Sequence, residues 1–236
     1  MEFNNLLKLI QDFIPQVHKE GHKFILIFAG VTLLLWLIYT PFGLIGLVAT
    51  IWCVFFFRDP ERVIPVGSSF VVSPADGLIQ KIEKVSPPEE LGLSTEKVTR
   101  ISVFLNIFDV HVNRVPVEGS ITALNYHPGK FLSANLDKAS VENERQSVVI
   151  KTKDGHEVVC VQIAGLIARR IVCYLEDKQE VKTGERYGLI RFGSRVDVYL
   201  PEGVNPTVVE GQRAIGGETI FADLKGKSTA RKGEIR

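Results

Sequence analysis

The sequence predicts a β-rich domain, all-β to α+β, behind an N-terminal membrane helical hairpin. Three observations carry this reading. No residue from Phe24 to Phe57 is charged, a run well beyond the ~20 apolar residues that one membrane helix needs. From about Val63 onward, short apolar runs alternate with turn signals. Near the C-terminus, a Gly193-Ser194 bond stands between two segments that read as buried strands, Tyr187-Gly-Leu-Ile-Arg-Phe before it and Arg195-Val-Asp-Val-Tyr-Leu after it.

Bulk composition sets the outer limits. The 236 residues, 45% of them hydrophobic, suffice for one soluble domain and a membrane element. A net charge of +1 excludes the basic surplus of a nucleic-acid binder. Cys53, Cys160 and Cys173 have no metal-ligand spacing, and their odd number does not fit a disulfide framework. A reducing compartment is the simpler reading.

Residues 1–23 form an amphipathic lead-in, with Leu6, Leu7, Ile10, Phe13 and Ile14 at helical spacing, suited to a membrane surface. Residues 24–57 follow as the membrane element. Pro41 and Gly43 interrupt its middle, so it reads as one long kinked helix or as a hairpin with halves at 24–39 and 42–57. The hairpin is preferred. Lys19 and Lys23 precede the run and Arg58 and Arg62 follow it. Positive flanks stay cytoplasmic, and only a hairpin keeps both on one side. The run is too long and starts too late for a cleaved signal peptide. A hairpin buried in a soluble core is the competing reading, but Trp36, Tyr39 and Trp52 also suit a membrane interface.

Residues 58–224 then form the β-rich domain. Strands are expected at 70–72, 78–82, 99–105, 120–125, 147–151, 157–163, 170–173, 187–192 and 195–200. Ala75-Asp76-Gly77, Pro128-Gly129, Asp154-Gly155 and Thr183-Gly184 mark turns between them. Short helices are expected near 107–110 and 137–143. Residues 225–236 form a basic tail, expected to be disordered and solvated, with attraction to anionic lipid as a second role.

The chemistry centres on Gly193-Ser194. A serine hydroxyl can attack the carbonyl before it, and glycine both clears the approach and tolerates the strained backbone. The resulting ester can lose its acyl half by β-elimination, and hydrolysis then leaves a pyruvoyl group. Alone, such a pair is more often a turn. His111, in Phe104-Leu-Asn-Ile-Phe-Asp-Val-His111-Val-Asn-Arg114-Val-Pro116, supplies a base near neutral pH. The plain alternative is a histidine without chemistry, and His127 competes for the role. Asp76 stands in an Asp-Gly pair that is common in turns. Its functional reading is a carboxylate that orients a histidine, a part open also to Asp109 and Asp197. Arg145, Arg169, Arg170, Arg186 and Arg191 could hold phosphate or carboxylate, or be salt-bridge residues. The sequence shows neither a metal cluster nor a glycine-rich phosphate loop before a helix.

Taken together, Ser73-Pro-Ala-Asp76-Gly77, the His111 segment, Tyr126-His-Pro-Gly-Lys130-Phe, Asn135-Leu-Asp-Lys-Ala-Ser-Val-Glu-Asn-Glu-Arg145, Ala164-Gly-Leu-Ile-Ala-Arg-Arg170 and Phe192-Gly-Ser194-Arg resemble the phosphatidylserine decarboxylase proenzymes, in their short membrane-anchored branch. The resemblance runs from about Arg58 to Pro201. It implies a barrel-sandwich-like domain related to biotinyl and lipoyl modules. It also implies autocatalytic cleavage between Gly193 and Ser194, giving a β chain 1–193 and an α chain 194–236 that stay associated. Ser194 would become the covalent pyruvoyl cofactor, form a Schiff base with the substrate amine and accept electrons as carbon dioxide leaves. Phosphatidylserine in the membrane would be the substrate and phosphatidylethanolamine the product, with the catalytic domain on the cytoplasmic face of the cell membrane. The chain is compatible with a homo-oligomer. Asp76 matches the aspartate of a Ser-His-Asp set. The longer enzymes carry two histidines three apart, whereas this chain has His111 and then Arg114, and it reads Phe-Gly-Ser-Arg where they read Leu-Gly-Ser-Thr. Either His111 serves both cleavage and decarboxylation, or cleavage leans mainly on strain at Gly193. Two other functions compete: a non-enzymatic membrane-anchored adaptor, and a pyruvoyl decarboxylase of a soluble amino acid.

Overall fold

The computed structural model describes residues 15–91, 96–133, 142–165, 170–191 and 193–226. The lead-in before residue 15, most of the helix expected at 137–143 and the tail beyond residue 226 lie outside them. The chain divides into two units, residues 1–61 and 62–236.

In the first unit, helices Lys19–Ile38 and Thr40–Phe56 are joined through Tyr39, whose extended backbone ends one helix and begins the next. Pro41 sits in the first turn of the second helix, where the missing N–H costs nothing. The segments flanking the pair return to each other: the His18 N–H donates to the Phe57 carbonyl at 2.8 Å, and Asp59 N–H to Gln16 at 2.6 Å. This is the hairpin expected in preference to a single kinked helix. A Cβ built on Gly46 would lie 3.0 Å from the Thr32 Cα, so glycine permits the close helix approach. There Thr32 and Thr50 hydroxyls hydrogen-bond at 2.8 Å. Most large apolar side chains of the pair face outward, among them Leu26, Leu33, Leu37, Ile45 and Val48. The first helix is long and apolar enough to cross a membrane; the second is shorter.

The second unit has the expected β-rich fold. Its strands are β1 (Phe70–Val72), β2 (Gly77–Val85), β3 (Val98–Leu105), β4 (Val112–Arg114), β5 (Gly119–His127), β6 (Arg145–Lys151), β7 (Glu157–Ala164), β8 (Ile171–Cys173), β9 (Glu180–Val181), β10 (Arg186–Ile190), β11 (Ser194–Tyr199), β12 (Arg213–Ala214) and β13 (Ile220–Asp223). A curled eight-stranded sheet runs β12-β2-β3-β11-β7-β6-β5-β9, and smaller sheets run β4-β10-β8 and β1-β13. Every pairing between these strands is antiparallel.

Alternation decides which side chains fill the core. On β11, Val196 and Val198 join Ile101, Val103, Leu105 and Cys160 in the main core. Val115, Val117, Tyr187 and Ile190 complete it from beyond the large sheet. Arg195, Asp197 and Tyr199 take the other face, also buried, beside a smaller cluster of Val149, Val159, Val161 and Ile163. The strands absent from the sequence reading, β4, β9, β12 and β13, have two to four residues each. Such lengths are too short to show a period, and long-range pairing alone defines them.

Candidate active site

Ser194 is the first residue of β11, a strand held between β3 and β7. It pairs with Leu105 on one side and Ala164 on the other. The residue is fully buried, and its hydroxyl has no hydrogen-bond partner among the described residues. Gly193 makes the corner before it with φ +67°. A Cβ there would meet nothing within 4 Å. The left-handed backbone, not crowding, therefore calls for glycine.

His111 reaches this corner from the segment between β3 and β4. Its ring is buried. Nδ1 lies 2.9 Å from the Asp109 carbonyl oxygen, an acceptor only, so Nδ1 carries the proton. Nε2 is left as an acceptor, and the Gly193 N–H donates to it at 3.4 Å. The imidazole thus turns its lone pair to the amide of Gly193, the residue before Ser194. The Ile190 N–H donates to the His111 carbonyl at 3.3 Å and ties this segment to β10.

The helix expected near 107–110 is instead a tight turn. The Phe108 N–H donates to Asn106 Oδ1 at 2.8 Å, and the Asn106 N–H to Asp109 Oδ2 at 2.9 Å. Side-chain acceptors thus capture amides that a helix would use. Arg213 forms an ion pair with Asp109 and secures the turn from β12.

Asp76 follows β1. Arg62 donates to it at 2.6 Å and the Gly216 N–H at 2.8 Å. Burial pushes its carboxyl above the ordinary aspartate range, against the lowering by Gly216 and Arg62, and nearby Asp109 adds a further upward push. The group that orients His111 at Nδ1 is the Asp109 main-chain carbonyl. Asp197, the other carboxylate considered, lies on the opposite face of β11 from Ser194 and pairs there with Arg195 at 2.9 Å.

Arg114 occupies β4, buried, and donates to the Gly184 carbonyl at 2.9 Å. His127 ends β5 opposite Arg145, and Arg145 pairs with Glu90 at 2.7 Å. Arg186 and Arg170 stand exposed and Arg191 half-buried, while Arg169 lies outside the described residues. Cys160 contacts the Tyr187 hydroxyl at 3.1 Å, and burial pushes its thiol up to about 12. A groove of about 340 Å³, lined in part by Glu96, His156, Tyr199 and Glu202, opens at the far end of β11 from Ser194.

Two amides went unnoticed in the sequence. Asn113 and Gln162 are fully buried, and Gln162 Nε2 donates to Asn113 Oδ1 at 2.8 Å. The available signal was Gln162 itself, a polar side chain inside the apolar run Val158-Val-Cys-Val-Gln-Ile-Ala164.

The family model "Phosphatidylserine decarboxylase" matches residues 49–222. A phosphatidylserine decarboxylase proenzyme of Cereibacter sphaeroides is 54% identical over 230 residues, covering 98% of this chain and 99% of its own. Proenzymes of the same name from Rickettsia felis and Rickettsia bellii are 57% identical over 224 residues, covering 95% of this chain and 97% of theirs. The matched span takes in the Gly193 corner and the His111 turn, and likeness on this scale places the chain in the phosphatidylserine decarboxylase family.

Proposed function

We propose that this chain cuts itself between Gly193 and Ser194 and then decarboxylates phosphatidylserine to phosphatidylethanolamine. One observation carries the reading: His111 Nε2 takes the Gly193 N–H while the neighbouring Ser194 hydroxyl lies buried without a partner among the described residues. In cleavage, His111 removes the hydroxyl proton as Ser194 Oγ bonds to the Gly193 carbonyl carbon. The C–N bond breaks, and His111 returns the proton to the Ser194 nitrogen. The ester then eliminates: the Ser194 α-proton leaves, the Gly193 carboxylate departs and dehydroalanine remains. Water adds to it and ammonia leaves, giving a pyruvoyl group at the head of an α chain 194–236, with a β chain 1–193 beside it.

Residue 194 fits that group. The Ser194 oxygen leaves with the Gly193 carboxylate and the side chain ends as a methyl, so a buried hydroxyl without a hydrogen bond among the described residues gives up nothing in the change. Flanking strands β3 and β7 hold the position on both sides. Once formed, the carbonyl supplies an electron sink for the pair released as carbon dioxide leaves. His111 stays beside it to hold or deliver a proton. Asp76 acts as a supporting carboxylate at one remove, fixing Arg62 and the Gly216 amide next to the turn that presents His111. The helical pair serves as the membrane anchor. Basic residues at both its ends support a cytoplasmic face for the catalytic unit.

A denaturing gel and intact-mass measurement test the proposal. Wild type gives two pieces, the smaller with a pyruvoyl N-terminus. Ser194→Ala stays whole and inactive, and His111→Ala slows cleavage by about 10²–10⁴-fold. A whole wild-type chain that still releases carbon dioxide from lipid refutes it.

A further inference from the structure

We propose that Asn113 and Gln162 read the substrate headgroup, an assignment that rests on the function proposed above. The contacts around Ser194 close a ring. Ser194 pairs with Ala164 on β7, and Gln162 lies two residues back on the same face. Gln162 bonds Asn113 across to β4, and Asn113 stands two residues beyond His111. His111 returns the ring to Gly193. Diagonal neighbours on adjacent strands stand about 7–8 Å apart, a gap that one small polar group bridges.

Within this ring, Asn113 Nδ2 and Gln162 Oε1 are both buried and have no partner among the described residues. Leaving one donor and one acceptor dry is costly, and a ligand that supplies the complements removes the cost. Turning both amides over exchanges their roles and leaves the same free pair, one donor and one acceptor.

The serine headgroup presents that complement on a single carbon. Its carboxylate only accepts and its ammonium only donates. The free amide N–H₂ of the pair suits the carboxylate, and the free amide oxygen suits the amine. Neutral amides also suit the reaction. A guanidinium would hold the carboxylate through strong bidentate bonds and resist its loss. Phosphatidylethanolamine has no carboxylate, so the product leaves the donor unsatisfied and is held less well.

The test uses the full chain in detergent micelles and short-chain lipids. Cleavage is read on a gel. Headgroup preference is read by reductive trapping of each lipid amine on the α chain, followed by intact mass. One hydrogen bond to a charged group corresponds to about tenfold or more in preference. Wild type is expected to trap phosphatidylserine over phosphatidylethanolamine by at least that factor. Asn113→Leu/Gln162→Met removes both amides together, so neither is stranded. It is expected to divide normally and to lose the preference. Asn113→Asp, which repels a carboxylate and attracts an amine, is expected to turn the preference toward phosphatidylethanolamine. A divided double variant that keeps the wild-type ratio overturns the assignment. So does a double variant that stays whole, because the pair then belongs to folding or cleavage, and so does an unchanged ratio in Asn113→Asp. A wild-type chain that never divides refutes the parent reading as well.

Discussion

At the scale of single residues, the cleavage corner depends on a conformation and a tautomer. Gly193 holds φ +67° with open space where a Cβ would stand. Gly193→Ala therefore folds, but an L side chain in the left-handed region costs about 1–2 kcal/mol. The backbone is expected to relax away from the attack geometry and slow cleavage by about tenfold, 1.4 kcal/mol being a factor of ten, as a gel time course would show. Normal speed would remove backbone conformation from the mechanism. The tautomer comes from a main-chain oxygen, that of Asp109. Ser194, Gly193 and His111 could be nominated from the sequence because the proposed chemistry requires those residue types, and the structure brings His111 to Gly193. The carbonyl at Nδ1 was not, since every residue has one and only the turn at Asn106 aims it.

Strand by strand, β11 is the first stretch of the proposed α chain, and a buried ion network ties it to the rest. Arg195 and Asp197 lie on β11, while Arg100 on β3 and Glu83 on β2 belong to the proposed β chain. Arg100 reaches Asp197 at 3.8 Å and also pairs with Glu83. Replacing Asp197 by Asn removes the carboxylate charge that Arg195 and Arg100 share, at a cost of about 3–5 kcal/mol. The expected result is a lower melting temperature and loss of the small piece on gel filtration after cleavage; an unchanged melt would show the network to be idle. Acid should act on the β2–β3 part of this network, within the proposed β chain. Burial alone would raise Glu83, but hydrogen bonds from Arg100 and Lys81 outweigh it and hold the carboxyl below its ordinary value. A depressed carboxyl contributes stability above its unfolded pKa and loses it as pH falls through the folded one. The melting temperature is therefore expected to hold at neutral pH and to fall below the ordinary glutamate range, as thermal melts across pH would show. The long strands were visible by alternation. Burial of their charged face was not, because a charge at an alternate position normally signals solvent.

Across the whole molecule, the proposed function divides between the two units, the helical pair meeting the lipid and the β-rich unit reacting with it. Gly46→Leu drives a side chain against Thr32 inside the first unit alone. Cleavage and turnover of a short-chain, water-soluble substrate are expected to persist, while turnover of bilayer phosphatidylserine falls several-fold; equal loss on both substrates would show that the pair supports folding of the second unit instead. By itself the sequence determined the order of the longer strands, the hairpin, the strand-bound Gly193-Ser194 bond and the family, because charge depletion, period-two alternation and reactive residue types are local properties. Only the tertiary structure decided that His111 faces Gly193, that Asp197 lies behind β11, and that Asn113 and Gln162 meet as a buried pair. Those relations join β4, β7 and β11 across long stretches of chain, and their geometry comes from strand register and packing, which no local pattern encodes.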